Sequence, residues 1–206
     1  MAYKAGLEQW SLAVKAYEEQ NYEEALNIFT DMGGGSKIQY NIGNIYSLLG
    51  DNDLAIASFT ASIQLDNYFA IGYFARGISN FEIGDLESAF EDFNNALLYL
   101  RGNLFIDYFQ LGMDFKLYSC EVLYNRAICY FKMNQPAEAM NDLLAAFNDK
   151  NEDKHALIAH ALEVAGKGCD LFAVPTGTIF RPCESMVRNT KKIDYLGQAK
   201  LIAANN

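Results

Sequence analysis

A chain of 206 residues can fold as one solid domain or as an array of stacked units. Its composition, 51% apolar and 20% charged, is that of a globular protein and excludes a disordered one. The formal charge of −10 argues against nucleic-acid binding, which needs a basic stripe to displace counterions, and disfavours docking on anionic lipid. The opening residues, MAYKAGLEQW, lack the basic and apolar regions of a secretory leader, so none is expected. No apolar run approaches the roughly 20 residues of a membrane span. Cys120, Cys129, Cys169 and Cys183 contain no CxxC pair and read as thiols of a reducing cytosol.

Along the chain the residues fall into a repeat. A first unit places Ala13, Tyr22, Ala25 and Phe29 at intervals that recur later. The GGGS turn at 33–36 closes a shortened second helix, so the next unit follows at 30 residues. That unit carries Gly43, Gly50, Ala55 and Phe59, and the third carries Gly77, Gly84, Ala89 and Phe93, each 34 residues further on. A period of 34 with these small and aromatic positions is the spacing of the tetratricopeptide repeat, two antiparallel helices per unit. The small residues let the paired helices approach to about 8–10 Å, with the later aromatic expected in the groove toward the next unit. A fourth unit has Ala127, Tyr130, Ala139, Leu143 and Ala146, but Ala89 to Ala139 is 50 residues. The surplus of sixteen is an insert placed at about 101–116. Asp51-Asn52, Asp85 and Pro136 mark the starts of second helices. Residues 153–168 read as an amphipathic helix that caps the array, whose last unit cannot bury its outer face alone. The expected fold is therefore all-α. It is a right-handed tetratricopeptide solenoid of four repeats with an insert between the third and fourth, a capping helix and a tail.

This divides the chain into a repeat domain at 1–168 and a tail at 169–206. The tail begins CDLFAVPTGTIFRP, whose prolines, β-branched residues and glycine favour extended backbone. Its large apolar residues, Leu171, Phe172, Val174, Ile179 and Phe180, are expected to lie back on the array, with the concave groove as the natural bed.

Sites of chemistry do not emerge. GGGSK at 33–37 follows a helix and lacks the GxxxxGK[ST] spacing of a phosphate loop, so it reads as a turn. His155 and His160 sit about 140° apart round a helix, which reads as one packed and one surface histidine rather than a metal pair. No catalytic residues, metal or cofactor are expected. The clamp by which some such arrays hold a C-terminal carboxylate needs Lys, Arg and Asn on the first helices. This chain has Trp10, Val14, Asn41, Ile71 and Ala75 there, so only the Asn remains and that function is disfavoured.

The insert and the residues after it read LRGNLFIDYFQLGMDFKLYSCEVLYN. This resembles the inserted segment of the tetratricopeptide-bearing cytosolic activators of phagocyte NADPH oxidase and of their fungal counterparts. Those share an L-R-G-N turn, an I-D-Y, an L-G and an F-K-L…C-E-V-L-Y-N. Further marks are AIGYF at 70–74, FRP at 180–182 and DYLG at 194–197, so the likeness covers almost the whole chain.

The resemblance implies a regulatory adaptor, not an enzyme. It binds the GTP form of a Rac-type small GTPase, switches on a membrane flavocytochrome that makes superoxide, and meets other cytosolic oxidase subunits. It also implies a cytoplasmic protein recruited to the membrane on activation. Carried onto this sequence, the GTPase contacts are Ser36, Asp66 and Tyr68 in the inter-repeat loops, with Arg101, Asn103, Phe105 and Asp107 in the insert. Phe105 stands where the family has an aliphatic residue, and Tyr68 where it has His. An activation segment at about 194–204 contributes Tyr195, Leu196, Gly197 and Leu201. The residues themselves allow this. Gly102 can take positive φ and present Arg101 and Asn103, with Asp107 near enough in sequence to orient Arg101. Ile106, Tyr108, Leu111 and Phe115 would anchor the insert. The alternative reading is a scaffold that binds an extended peptide in its groove with no GTPase partner.

Overall fold

The computed structural model describes residues 2–183. Four helical hairpins follow one another: α1 (Ala2–Glu18) with α2 (Tyr22–Met32), α3 (Ser36–Leu48) with α4 (Asn52–Leu65), α5 (Ala70–Glu82) with α6 (Leu86–Leu100), and α7 (Ser119–Lys132) with α8 (Pro136–Asn148). Local chemistry sets the boundaries. Asp51 and Asp85 cap α4 and α6 by accepting from the backbone N–H groups of Leu54 and Ser88, and Asn21 does the same for α2 through Glu24. Pro136 occupies the first turn of α8, where a missing N–H costs nothing. Each first helix ends on a left-handed residue seven places after its small residue. These are Gln20, Gly50, Gly84 and Asn134, at φ of 61°, 79°, 84° and 60°.

Within a repeat the closest approach is between the small residue and the aromatic sixteen places on. A Cβ on Gly43 would lie 2.7 Å from the Phe59 ring, and one on Gly77 2.9 Å from that of Phe93. The aromatic therefore fills its own repeat's seam, and not chiefly the groove toward the next unit as the spacing predicts. Adjacent repeats are also pinned by charge. Arg76 of α5 grips Asp92 of α6 at 2.6 Å and reaches Thr60 of α4 at 2.9 Å. Arg126 of α7 repeats this with Asp142 of α8 at 2.7 Å and Asn94 of α6 at 2.7 Å.

The fold is not wholly helical. The insert forms an antiparallel hairpin, β1 (Phe105–Asp107) with β2 (Lys116–Tyr118), in the register Phe105↔Tyr118, Ile106↔Leu117 and Asp107↔Lys116. A 3-10 turn at Phe109–Leu111 lies at its tip. The insert thus runs two residues beyond the expected 116, to the start of α7 at Ser119. After α8, a 3-10 turn (Asp153–His155) leads into α9 (Ala156–Val164).

From Cys169 the chain runs back across the first helices of the repeats. Asn125 of α7 accepts from the N–H of Phe172 at 2.8 Å and donates to its carbonyl at 2.8 Å. Asn41 of α3 treats Phe180 in the same way, at 2.9 and 2.8 Å. Between them Asn44 donates to the Thr178 carbonyl at 3.4 Å, and the Gly177 N–H donates to the Tyr17 hydroxyl at 3.1 Å. Phe172, Ile179 and Phe180 are buried. The tail is a strap in the array's own groove, held mostly through its backbone.

Candidate partner-docking edge

Helix α6 ends on Arg101, a non-glycine residue at φ 54°, ψ 36°, and Gly102 follows at φ 76°. Two successive left-handed residues turn the chain sharply outward. The Asn103 side chain then donates to the Leu100 carbonyl at 2.8 Å, so its amide closes the helix while the residue itself remains exposed. Arg101 does not meet Asp107. Its guanidinium lies 5.4 Å from the centre of the Tyr68 ring. That ring, 67% exposed, is braced edge-on by Tyr99 at 5.6 Å. Asp107 instead accepts from the Phe109 N–H at 2.9 Å and faces Lys116 at 3.9 Å.

The loop residues share this edge by indirect links. Asp66 closes an Asx turn by accepting from the Tyr68 N–H at 3.1 Å. Ser36 begins α3, and its carbonyl accepts from the Ser62 hydroxyl on α4 at 2.7 Å, four residues before Asp66. Phe105 is 39% exposed, packs on Tyr118 at 5.4 Å and lies 5.2 Å from the Lys116 ammonium. The structure therefore pairs Tyr68 with Arg101, joins Asp66 to Tyr68, and sets Phe105 and Asp107 around Lys116. Beside them is an open pocket of about 330 Å³ that includes Asp107, Lys116, Glu152 and Lys154. The Tyr118 hydroxyl donates to Glu152 across 2.5 Å, which with Lys154 holds that carboxyl below its ordinary range.

Behind this outward face the hairpin is apolar, with Tyr108, Met113, Phe115 and Leu117 buried. Leu111, expected as an anchor, is 45% exposed, because the 3-10 turn rolls it outward. The anchors that sequence reasoning missed are Lys37, Gly112 and Phe180. They lie 74, 68 and 139 residues from the groups they meet, and no local period links such positions. Tyr195, Leu196, Gly197 and Leu201 lie outside the described residues.

One buried cluster has the look of chemistry. Cys120 Sγ is 3.5 Å from His155 Nδ1, and His155 Nε2 is 3.3 Å from Glu121. However, Nδ1 already accepts from the N–H groups of Asn151 and Glu152 at 3.0 and 3.1 Å. Burial pushes the Cys120 thiol up to about 12, so no thiolate nucleophile forms at neutral pH. The cluster ties α7 to the cap. Among the described residues no group of three or more His, Cys, Asp or Glu could hold a metal ion. No described helix is long and apolar enough to cross a membrane.

Comparison with known proteins matches the tetratricopeptide repeat at residues 36–69 and 121–149. Neutrophil cytosol factor 2 of Bos taurus is 37% identical over 99% of this chain and 39% of its own length. NADPH oxidase activator 1 of Rattus norvegicus is 33% identical over 96% of this chain and 45% of its own length. The chain thus spans less than half of each of these relatives. Among solved structures, the MamA protein superposes with a TM-score of 0.64 at 17% identity, covering 82% of this chain and 85% of that one, which speaks for the fold alone. The chain is a tetratricopeptide-repeat homologue of neutrophil cytosol factor 2 and of the NADPH oxidase activators over nearly its whole length.

Proposed function

We propose that this chain is a non-catalytic cytosolic adaptor that binds a Rac-type small GTPase in its GTP form and so activates a membrane NADPH oxidase. The observation that carries the reading is its 33–37% identity, across nearly every residue, to proteins named as oxidase activators and cytosol factors. The docking edge is consistent with it. Arg101 is exposed and stacked on an exposed tyrosine, with a donor fork facing solvent, the kind of preset group that dominates interfaces. Ser36, Asp66, Asn103, Phe105 and Asp107 would complete the contact, with Tyr68 as its aromatic wall.

In this reading the array contributes position and not chemistry. The GTPase brings the adaptor to the membrane, and the segment at 194–204, with Tyr195, Leu196, Gly197 and Leu201, meets the flavocytochrome and favours electron flow from NADPH. Other cytosolic oxidase subunits are further partners. The competing scaffold reading is weakened because the bed an extended peptide would use holds residues 172–180 of the same chain.

Calorimetric titration with a Rac-type GTPase carrying a GTP analogue or GDP tests the proposal. Binding is expected only for the GTP-like form. Arg101→Glu should remove at least about 2 kcal/mol of it, the loss of a hot-spot arginine, with helicity and melting unchanged. Equal binding of both nucleotide forms overturns the reading, and undiminished binding by Arg101→Glu overturns the residue assignment.

A further inference from the structure

A hairpin of two three-residue strands has too little ladder to hold a shape in water by itself. Its root is fixed by α6 and α7, where the Ser119 N–H donates to the Leu104 carbonyl at 2.9 Å. Midway, the Tyr108 hydroxyl accepts from the N–H of Ile71, one of the unpaired donors in the first turn of α5, at 3.0 Å. The tip then lands on the strap. Arg181 N–H donates to the Gly112 carbonyl at 2.8 Å. A Cβ on Gly112, at φ 97°, would lie 2.2 Å from the Arg181 carbonyl oxygen, so the two backbones touch.

The strap at this point is itself gripped by the far end of the array. Phe180 is fully buried against Tyr40 and Phe69 at 5.3 and 5.4 Å, and meets Tyr108 of the hairpin at 6.0 Å. Its carbonyl accepts from Trp10 of α1 and Asn41 of α3, and Arg181 pairs with Glu18 of α1. Lys37 of α3 donates to the Leu111 carbonyl at 2.6 Å while lying 5.7 Å from the Phe180 ring. A loop that leaves the array between repeats three and four is thus tied, through residues 180 and 181, to repeats one and two.

We infer that the strap is the floor of the hairpin: Phe180 and Gly112 are positioning residues that hold Phe105 and Asp107 in place for the partner, though neither faces it. This rests on the docking edge proposed above. It also extends it, because intact contact residues would not suffice without the floor.

Hydrogen exchange of the amides at 105–118 and GTPase titration of the full chain test this together. Gly112→Ala forces the two backbones apart, and Phe180→Ala removes the ring beneath Tyr108. Each should raise exchange across 105–118 about tenfold and weaken GTPase binding by a similar factor. Ile179→Ala is the control, since Ile179 is equally buried but packs in the cluster of Val14, Ile38 and Ile42. It should lower the melting temperature and leave hairpin exchange and affinity near those of the wild type. Unchanged exchange in Gly112→Ala and Phe180→Ala overturns the inference. So does raised exchange with unchanged affinity, or an Ile179→Ala variant that loosens the hairpin as much as the others. If the wild-type chain binds no GTPase, the proposed function falls, while the exchange comparison still decides whether the strap holds the hairpin.

Discussion

Asn41 in repeat two and Asn125 in repeat four occupy the same position of a first helix, and each closes two hydrogen bonds on one phenylalanine of the strap. Their neighbourhoods differ. At the Asn41 end the Phe180 carbonyl also accepts from Trp10 Nε1 at 3.1 Å, and the hairpin tip rests on the strap. At the Asn125 end the Phe172 ring packs on Tyr124 at 4.8 Å and on His155 of the cap at 5.9 Å. The same device therefore does two jobs. One end fastens the strap to the cap, and the other couples the hairpin to the start of the array. Repeat three has Ala75 at this position, so the strap is clasped at alternate units.

The largest test of that contrast is to remove each asparagine. Asn125→Ala leaves both the N–H and the carbonyl of Phe172 buried without their partner, at about 1–3 kcal/mol for each group. Asn41→Ala leaves the Phe180 carbonyl with Trp10, so only the N–H is stranded. Asn125→Ala should therefore cost more in denaturant unfolding, about 4 kcal/mol against about 2. Equal losses would mean that the Trp10 bond contributes nothing.

Trp10 itself is the next step down. Trp10→Phe keeps most of the ring and removes one donor, for an expected loss of about 1 kcal/mol in the wild-type background. Combined with Asn41→Ala it strands the Phe180 carbonyl completely, so the double variant should lose more than the two single losses added. Strict additivity by the double-mutant cycle would break the claim that the two donors share one acceptor.

The array was more legible in the sequence than either end of the strap, for physical reasons. Gly43, Gly77, Phe59 and Phe93 pack within one repeat, so a 34-residue period exposes them. Repeats one and four were fainter because Gln20 and Asn134 adopt the left-handed turn that glycine provides elsewhere. The tail's return could be anticipated from its greasy side chains. Its grip could not, because Asn41 and Asn125 hold backbone atoms, which carry no residue code. Asn41 looked like the relic of a carboxylate clamp, and the structure gives it an amide of its own chain. The hairpin was visible only as surplus length, since Phe-Ile-Asp and Lys-Leu-Tyr are too short for a strand's alternation to stand out. The outward turn at Gly102 was readable. The stacking of Arg101 on Tyr68 crosses two repeats, and sequence adjacency had favoured Asp107.

The smallest effect separates the two ends by pH. At the cap end, the Glu152 carboxylate accepts from the Tyr118 hydroxyl and faces Lys154 at 3.5 Å, with Glu121 and His155 close behind. Its folded pKa is lowered, first by the Tyr118 bond and then by Lys154. The contribution is thus complete above the ordinary glutamate range and is lost as pH falls through the lower, folded value. The side chain is 42% exposed, so solvent screening keeps the effect well under about 1 kcal/mol, or about 1–2 °C in melting temperature. Glu152→Gln should flatten the acid limb of melting temperature against pH by that amount and leave the neutral region nearly unchanged. Exchange of the Phe172 amide should rise on acidification in the wild type, while that of the Phe180 amide, which has no such carboxylate corner described beside it, should not follow. If both amides loosen together as pH falls, the ends of the strap are one cooperative unit and the division of labour between Asn125 and Asn41 does not hold.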